Sequence, residues 1–108
     1  MDELRILSPT AILGYGFPPE SMAEGMDHRP HAIAVDAGST DAGPYFLGIQ
    51  PGEGSGRLAE FARIMYTDLR PLLKAALEAR IPLIIGSAGG AGGNLHLMGI
   101  AALIRGIA

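Results

Sequence analysis

Apolar residues recur along this chain in two periods, and the change from one to the other marks out the elements. Leu4-Arg5-Ile6-Leu7, Ala32-Ile33-Ala34-Val35 and Leu83-Ile84-Ile85 are short, mostly apolar runs with the length and side-chain type of strands. Apolar character that is continuous rather than alternating predicts burial on both faces, as in a parallel sheet. The first strand is expected to end near Leu7 or Ser8, because Pro9 has no N–H for a ladder. Over residues 57–80 the period changes. Leu58, Phe61, Ala62, Met65, Leu69, Leu72, Leu73, Ala76 and Leu77 keep to three-and-four spacing, the stripe of an amphipathic helix. Pro71 interrupts the stripe, at a cost of about 3 kcal/mol in a helix interior. The pattern therefore predicts two abutting helices, with Asp68 as N-cap of the second, or one kinked helix.

A short helix is expected over residues 20–26, with Pro19 suited to its first turn and Glu20 near its positive end. A last helix is expected from about Leu95. Its Leu97, Met98, Ile100, Ala101, Leu103, Ile104 and Ile107 leave little polar face, which calls for protein on most sides. The order β-α-β-α-β-α predicts one α/β domain over residues 1–108. The expected form is a three-layer α/β/α unit with a short parallel sheet, a Rossmann-like half. Three strands make a thin sheet, so a homo-oligomer, a partner subunit or a longer protein is expected to complete it.

Composition narrows the function classes. With 48% hydrophobic and 18% charged residues, 108 residues can bury a core without staples, and 6% aromatics without Trp make that core aliphatic. A net charge of -3 with no block of like charge lacks the footprint of a nucleic-acid or anionic-lipid binder. The absence of Cys removes disulfides, thiolate nucleophiles and thiolate metal sites together. No run reaches the roughly 18 to 20 apolar residues of a membrane span. The opening Met-Asp-Glu-Leu-Arg is not a secretory signal, and a cytoplasmic protein is expected.

The densest chemistry lies in residues 82–94, Pro-Leu-Ile-Ile-Gly-Ser-Ala-Gly-Gly-Ala-Gly-Gly-Asn. A strand opens into Gly86, Ser87, Gly89, Gly90, Gly92 and Gly93 and then into a helix. Such a bare-backbone turn can bring N–H groups close to a ligand, and the helix dipole favours an anion there. The loop is not a P-loop, since it contains no Lys and lacks the Gly-Lys-Ser/Thr ending. Gly14-Tyr15-Gly16 runs into Phe17-Pro18-Pro19 and is not a Rossmann glycine fingerprint either. The bland reading is that the glycines allow tight strand-to-helix packing.

A second concentration follows the second strand, in Asp36-Ala37-Gly38-Ser39-Thr40-Asp41. Asp36 is read as a general base, a metal ligand or a hydroxyl acceptor, or else as the cap of its own turn. Ser39, Thr40 and Ser87 are hydroxyl contacts without an identifiable base, and Asp41 is a turn residue. Tyr15 and Tyr45 lie in loops expected on the same edge, as packing residues or aromatic walls. His28 and His31 are separated by Pro30 and read as solvated loop residues, and His96 as a helix-cap or surface residue. Without Cys and with the acids far apart in sequence, no metal site and no cofactor are assigned.

Three segments resemble the N-terminal region of the acyclic terpene utilisation (AtuA-like) family. They are residues 6–18, Ile-Leu-Ser-Pro-Thr-Ala-Ile-Leu-Gly-Tyr-Gly-Phe-Pro; residues 35–41, Val-Asp-Ala-Gly-Ser-Thr-Asp, with Gly43-Pro44-Tyr45; and residues 81–93. The resemblance implies that the chain is the first α/β unit of a longer protein engaged in catabolism of small acids. The resulting expectation is a binding unit for a small carboxylate or acyl thioester. Its rim would be made by Gly14, Tyr15, Gly16, Asp36, Gly38, Ser39, Thr40 and the loop from Gly86 to Gly93. The alternative is a non-enzymatic assembly subunit whose last helix docks a partner.

Overall fold

A computed structural model of the chain describes residues 2–38, 55–90 and 92–108, with the backbone alone for residues 55–62. The described elements are β1 (Ile6–Leu7), α1 (Pro19–Asp27), β2 (Ala32–Asp36), α2 (Ser55–Ala79), β3 (Leu83–Gly86) and α3 (Asn94–Ile107). The three strands form one parallel sheet in the order β1-β2-β3, so the protein is mixed α/β. Among the described residues no helix is long and apolar enough to cross a membrane.

Register sorts the strand side chains into two faces, because paired residues of neighbouring strands point the same way. Leu7 pairs with Ile33, Ile33 with Leu83 and Val35 with Ile85. All of these belong to the core, where they meet Met65, Leu69, Leu72 and Ala76 of α2. The opposite face holds Ile6 paired with Ala32, and Ala34 paired with Ile84. Ile6 and Ile84 are 58% and 55% exposed, so the apolar strands are not buried on both sides as their composition predicts. The reason is spacing. In runs with apolar residues at every position, only register reveals which half meets the helices.

The helices follow from local chemistry. In α1, Pro19 stands at the start, where its missing N–H costs nothing, and Met22 turns inward. Gly25 lets α1 approach β1, since a Cβ there would stand 2.5 Å from Leu7 Cδ1. Of the two alternatives the sequence leaves, two abutting helices or one kinked helix, the structure has a single helix, Ser55–Ala79, with Pro71 inside it. Pro71 is exposed, as is Thr67 four residues earlier, so the carbonyl that loses its N–H partner lies where water can reach. Met65, Leu69 and Leu72, all fully buried, hold the helix to the sheet across that fault.

Candidate functional site

The three strands end at a common rim. Beyond Leu7 the first strand leaves the ladder and returns to it at Ile12, which bridges Asp36 while the Leu13 N–H donates to the Asp36 carbonyl at 2.7 Å. Five residue steps from Leu7 to Ile12 thus oppose three from Ile33 to Asp36, and the excess is taken up at Ser8-Pro9-Thr10. On the other side of β2, Asp36 pairs with Gly86 and the Ala37 N–H donates to the Gly86 carbonyl at 2.8 Å. Gly14, Tyr15, Gly16, Asp36, Gly38 and the Gly86 loop therefore meet at one edge. Ser39, Thr40, Asp41 and Tyr45 lie outside the described residues.

The loop after β3 is shaped by close packing. Gly86 is the last residue of the strand, and its carbonyl serves the sheet. Residues 87–90 form a turn closed by the Gly90 N–H on the Ser87 carbonyl at 3.0 Å, with Gly89 at φ +88° as that kind of turn requires. A Cβ on Gly38 would stand 2.4 Å from Ser87 Cβ and 2.9 Å from the Gly90 carbonyl oxygen. A Cβ on Gly89 would stand 2.5 Å from His96 Cβ and 2.7 Å from its carbonyl carbon. At these two positions the packing account of the glycines holds. Gly92, at φ +73°, meets nothing closer than 3.9 Å, and Gly93 is the N-cap of α3.

Two features of the loop remain open to solvent chemistry. Gly93, the N-cap of α3, has no side-chain oxygen and so makes no side-chain cap bond of its own. Ser87 is exposed and takes φ +50°, a left-handed conformation in a residue that carries a Cβ. Among the described residues, Gly90 is the one amide of residues 87–93 that donates to another backbone group.

Asp36 is exposed, and its Oδ1 accepts the Gly38 N–H at 2.8 Å. This is the turn-capping role, and it leaves Oδ2 without a partner among the described residues. Tyr15 is 81% exposed, so its ring is not packed. Gly14 and Gly16 depart from the expectation in another way. Their N–H groups point inward, donating at 2.7 and 3.0 Å to Oδ2 of Asp68, and are not offered to the rim. Asp68 is no N-cap; it is a buried carboxylate, 5% exposed, within the continuous α2. Its sequence signal lies in its phase, three residues after Met65 and four before Leu72, on the buried stripe. An acid there must have donors waiting for it.

The histidines are spread apart. His31 is half-buried and its Nδ1 accepts the Arg5 N–H at 2.9 Å, so it locks the start of the sheet and is not merely solvated. His28 caps the end of α1, and His96 lies in the first turn of α3. Among the described residues no three His, Asp or Glu side chains gather as a metal site.

Comparison with models of known protein families, with curated proteins and with solved structures found no match.

Proposed function

We propose that the rim binds a small carboxylate or acyl thioester, and that the chain is the N-terminal unit of an AtuA-like catabolic protein. The observation that carries this reading is Ser87. Glycines surround it, yet a residue with a hydroxyl occupies the left-handed position, at a cost of roughly 1–2 kcal/mol. Arg29 and Arg80 are left-handed too, but each follows the end of a helix, where that conformation is common, whereas Ser87 stands in the rim loop, and strain of this kind gathers at ligand clamps. The exposed Ser87 hydroxyl donates to one carboxylate oxygen, while the N-terminus of α3 and its dipole favour the negative charge. Asp36 accepts a hydroxyl or amide of the ligand through Oδ2. Gly14 and Gly16 contribute shape rather than amides, since Asp68 has taken those.

Differential scanning with short- and medium-chain acids and their coenzyme A thioesters tests the reading. A ligand present at about 100 times its dissociation constant is expected to stabilise the protein by about 2.7 kcal/mol. Ser87→Ala is expected to weaken it about tenfold, the loss of one hydrogen bond to a charged group. No protection by any acid or thioester sinks the proposal.

A second reading, an assembly subunit, is favoured by the uncovered sheet face and by Leu95 and Met98 of α3, which are 60% and 65% exposed. In that reading a second copy or a further part of the protein covers Ile6 and Ile84 and completes the three-layer, Rossmann-like arrangement. The two readings are compatible, because the rim and the uncovered face use different atoms.

A further inference from the structure

At the end of the sheet away from the rim, Arg5 and His31 are joined by two hydrogen bonds. The His31 N–H donates to the Arg5 carbonyl at 2.7 Å, and the Arg5 N–H donates to Nδ1 of the His31 ring at 2.9 Å. In the second bond a side chain stands in for a backbone acceptor, one residue before β1. That strand is only Ile6 and Leu7, paired with Ala32 and Ile33, so the Arg5–His31 pair is a substantial part of what holds the start of the chain to β2.

The second bond depends on the charge of the ring. A backbone N–H can only donate, so Nδ1 must present a lone pair. The ring proton then sits on Nε2, and the imidazolium, whose two nitrogens are both donors, is excluded. Imidazole is the side chain that changes charge between about pH 5 and 8. A bond made only by the neutral ring contributes fully at the upper end of that range and is lost as pH falls through it.

Neighbouring charges offer the imidazolium no replacement. The charged groups on the adjoining segments are Glu3 and Arg5 before β1, Asp27, His28 and Arg29 from the end of α1 to β2, and Glu78 and Arg80 at the end of α2. Glu3 pairs with the Arg5 guanidinium, whose Nε donates to the Arg29 carbonyl at 3.1 Å. Among the described residues no carboxylate pairs with His31. Further along, the same segment is fixed without any imidazole, by the Leu13 N–H on the Asp36 carbonyl and by the Gly14 and Gly16 amides on Asp68.

We infer that the Arg5–His31 pair is a pH-sensitive latch on the first edge of the sheet. The neutral ring closes residues 4–7 onto β2, and protonation of Nδ1 opens them while residues 12–16 stay held at the rim. The latch is independent of any ligand at the rim.

Amide exchange followed by NMR on the full chain tests it, with protection taken relative to unfolded-chain rates at each pH. The Arg5 amide is expected to be about tenfold better protected near pH 8 than near pH 5, the worth of one hydrogen bond, with the His31 amide following it. Leu13 and Ala37 are expected to change little. Ring nitrogen shifts near pH 8 are expected to place the His31 proton on Nε2. His31→Asn, whose Oδ1 can accept in place of Nδ1 without titrating, is expected to remove the pH dependence, and His28→Gln to keep it. Equal protection of Arg5 at the two pH values in the parent protein overturns the inference, whether or not the asparagine variant folds. A neutral His31 ring protonated on Nδ1 overturns it as well, as does pH dependence that survives in His31→Asn. Loss at Leu13 and Ala37 as large as at Arg5 would mean that the whole molecule opens, and there is then no latch.

Discussion

Gly38 and Gly89 differ from the other glycines of the rim in what stands where a Cβ would be. At Gly38 the neighbours are the Ser87 side chain and a backbone oxygen; at Gly89 they are the backbone and Cβ of His96, with an unfavourable φ besides. Gly38→Ala is expected to cost about 1–3 kcal/mol, the usual range for overpacking, and Gly89→Ala more, because backbone cannot move aside as a side chain can. Gly86→Ala serves as the control. Its Cβ would meet only the Val35 carbonyl oxygen at 3.8 Å, and a change within about 0.5 kcal/mol is expected. Urea unfolding of the three variants measures all of this, and equal losses at the three positions would contradict the packing account. The sequence reading treats these glycines as one class. No residue type records what lies opposite it, so their separate roles emerge only when Ser87 and His96 are in place.

At the scale of elements, most boundaries were legible. Pro19 starts α1, the three-and-four stripe becomes α2, and the glycine-rich stretch joins β3 to α3. What the sequence left open is whether two abutting helices or one kinked helix spans Pro71, and a single helix is found. Helix propensity argues for a break, but tertiary burial of Met65, Leu69, Leu72 and Ala76 on both sides of the proline outweighs it. Since Pro71 is exposed and its replacement restores an N–H for the Thr67 carbonyl, Pro71→Ala is expected to stabilise the protein by about 1–3 kcal/mol. Chemical denaturation monitored by helical circular dichroism checks it, and a destabilised Pro71→Ala variant would mean that the proline bends α2 onto the sheet. The continuity matters for the site. It sets Asp68 mid-helix, with a side chain for the first loop, where a second helix beginning at that point would have spent it on its own amides.

For the whole molecule, the decisive feature is that the described core lies on one face of the sheet. Leu4, Ile6 and Ile84 are 65%, 58% and 55% exposed, and parallel sheets are normally covered on both faces. Concentration-dependent association is therefore expected in sedimentation velocity. Ile84→Glu is expected to abolish it while leaving the fold and the rim unchanged, because that side chain is 55% exposed, on the face away from the described core. A protein that stays monomeric at every concentration, with or without the substitution, would remove the assembly reading. The mixed α/β class, the short parallel sheet and the described elements could be read from the chain itself, because period, proline and glycine act through local backbone geometry. Which sheet face is covered, why Gly38 is crowded and where Asp68 spends its charge depend on register and on contacts between residues distant in the chain, 54 and 52 positions apart for Asp68. No local pattern carries that information, since it comes into being only when α2 settles against the strands.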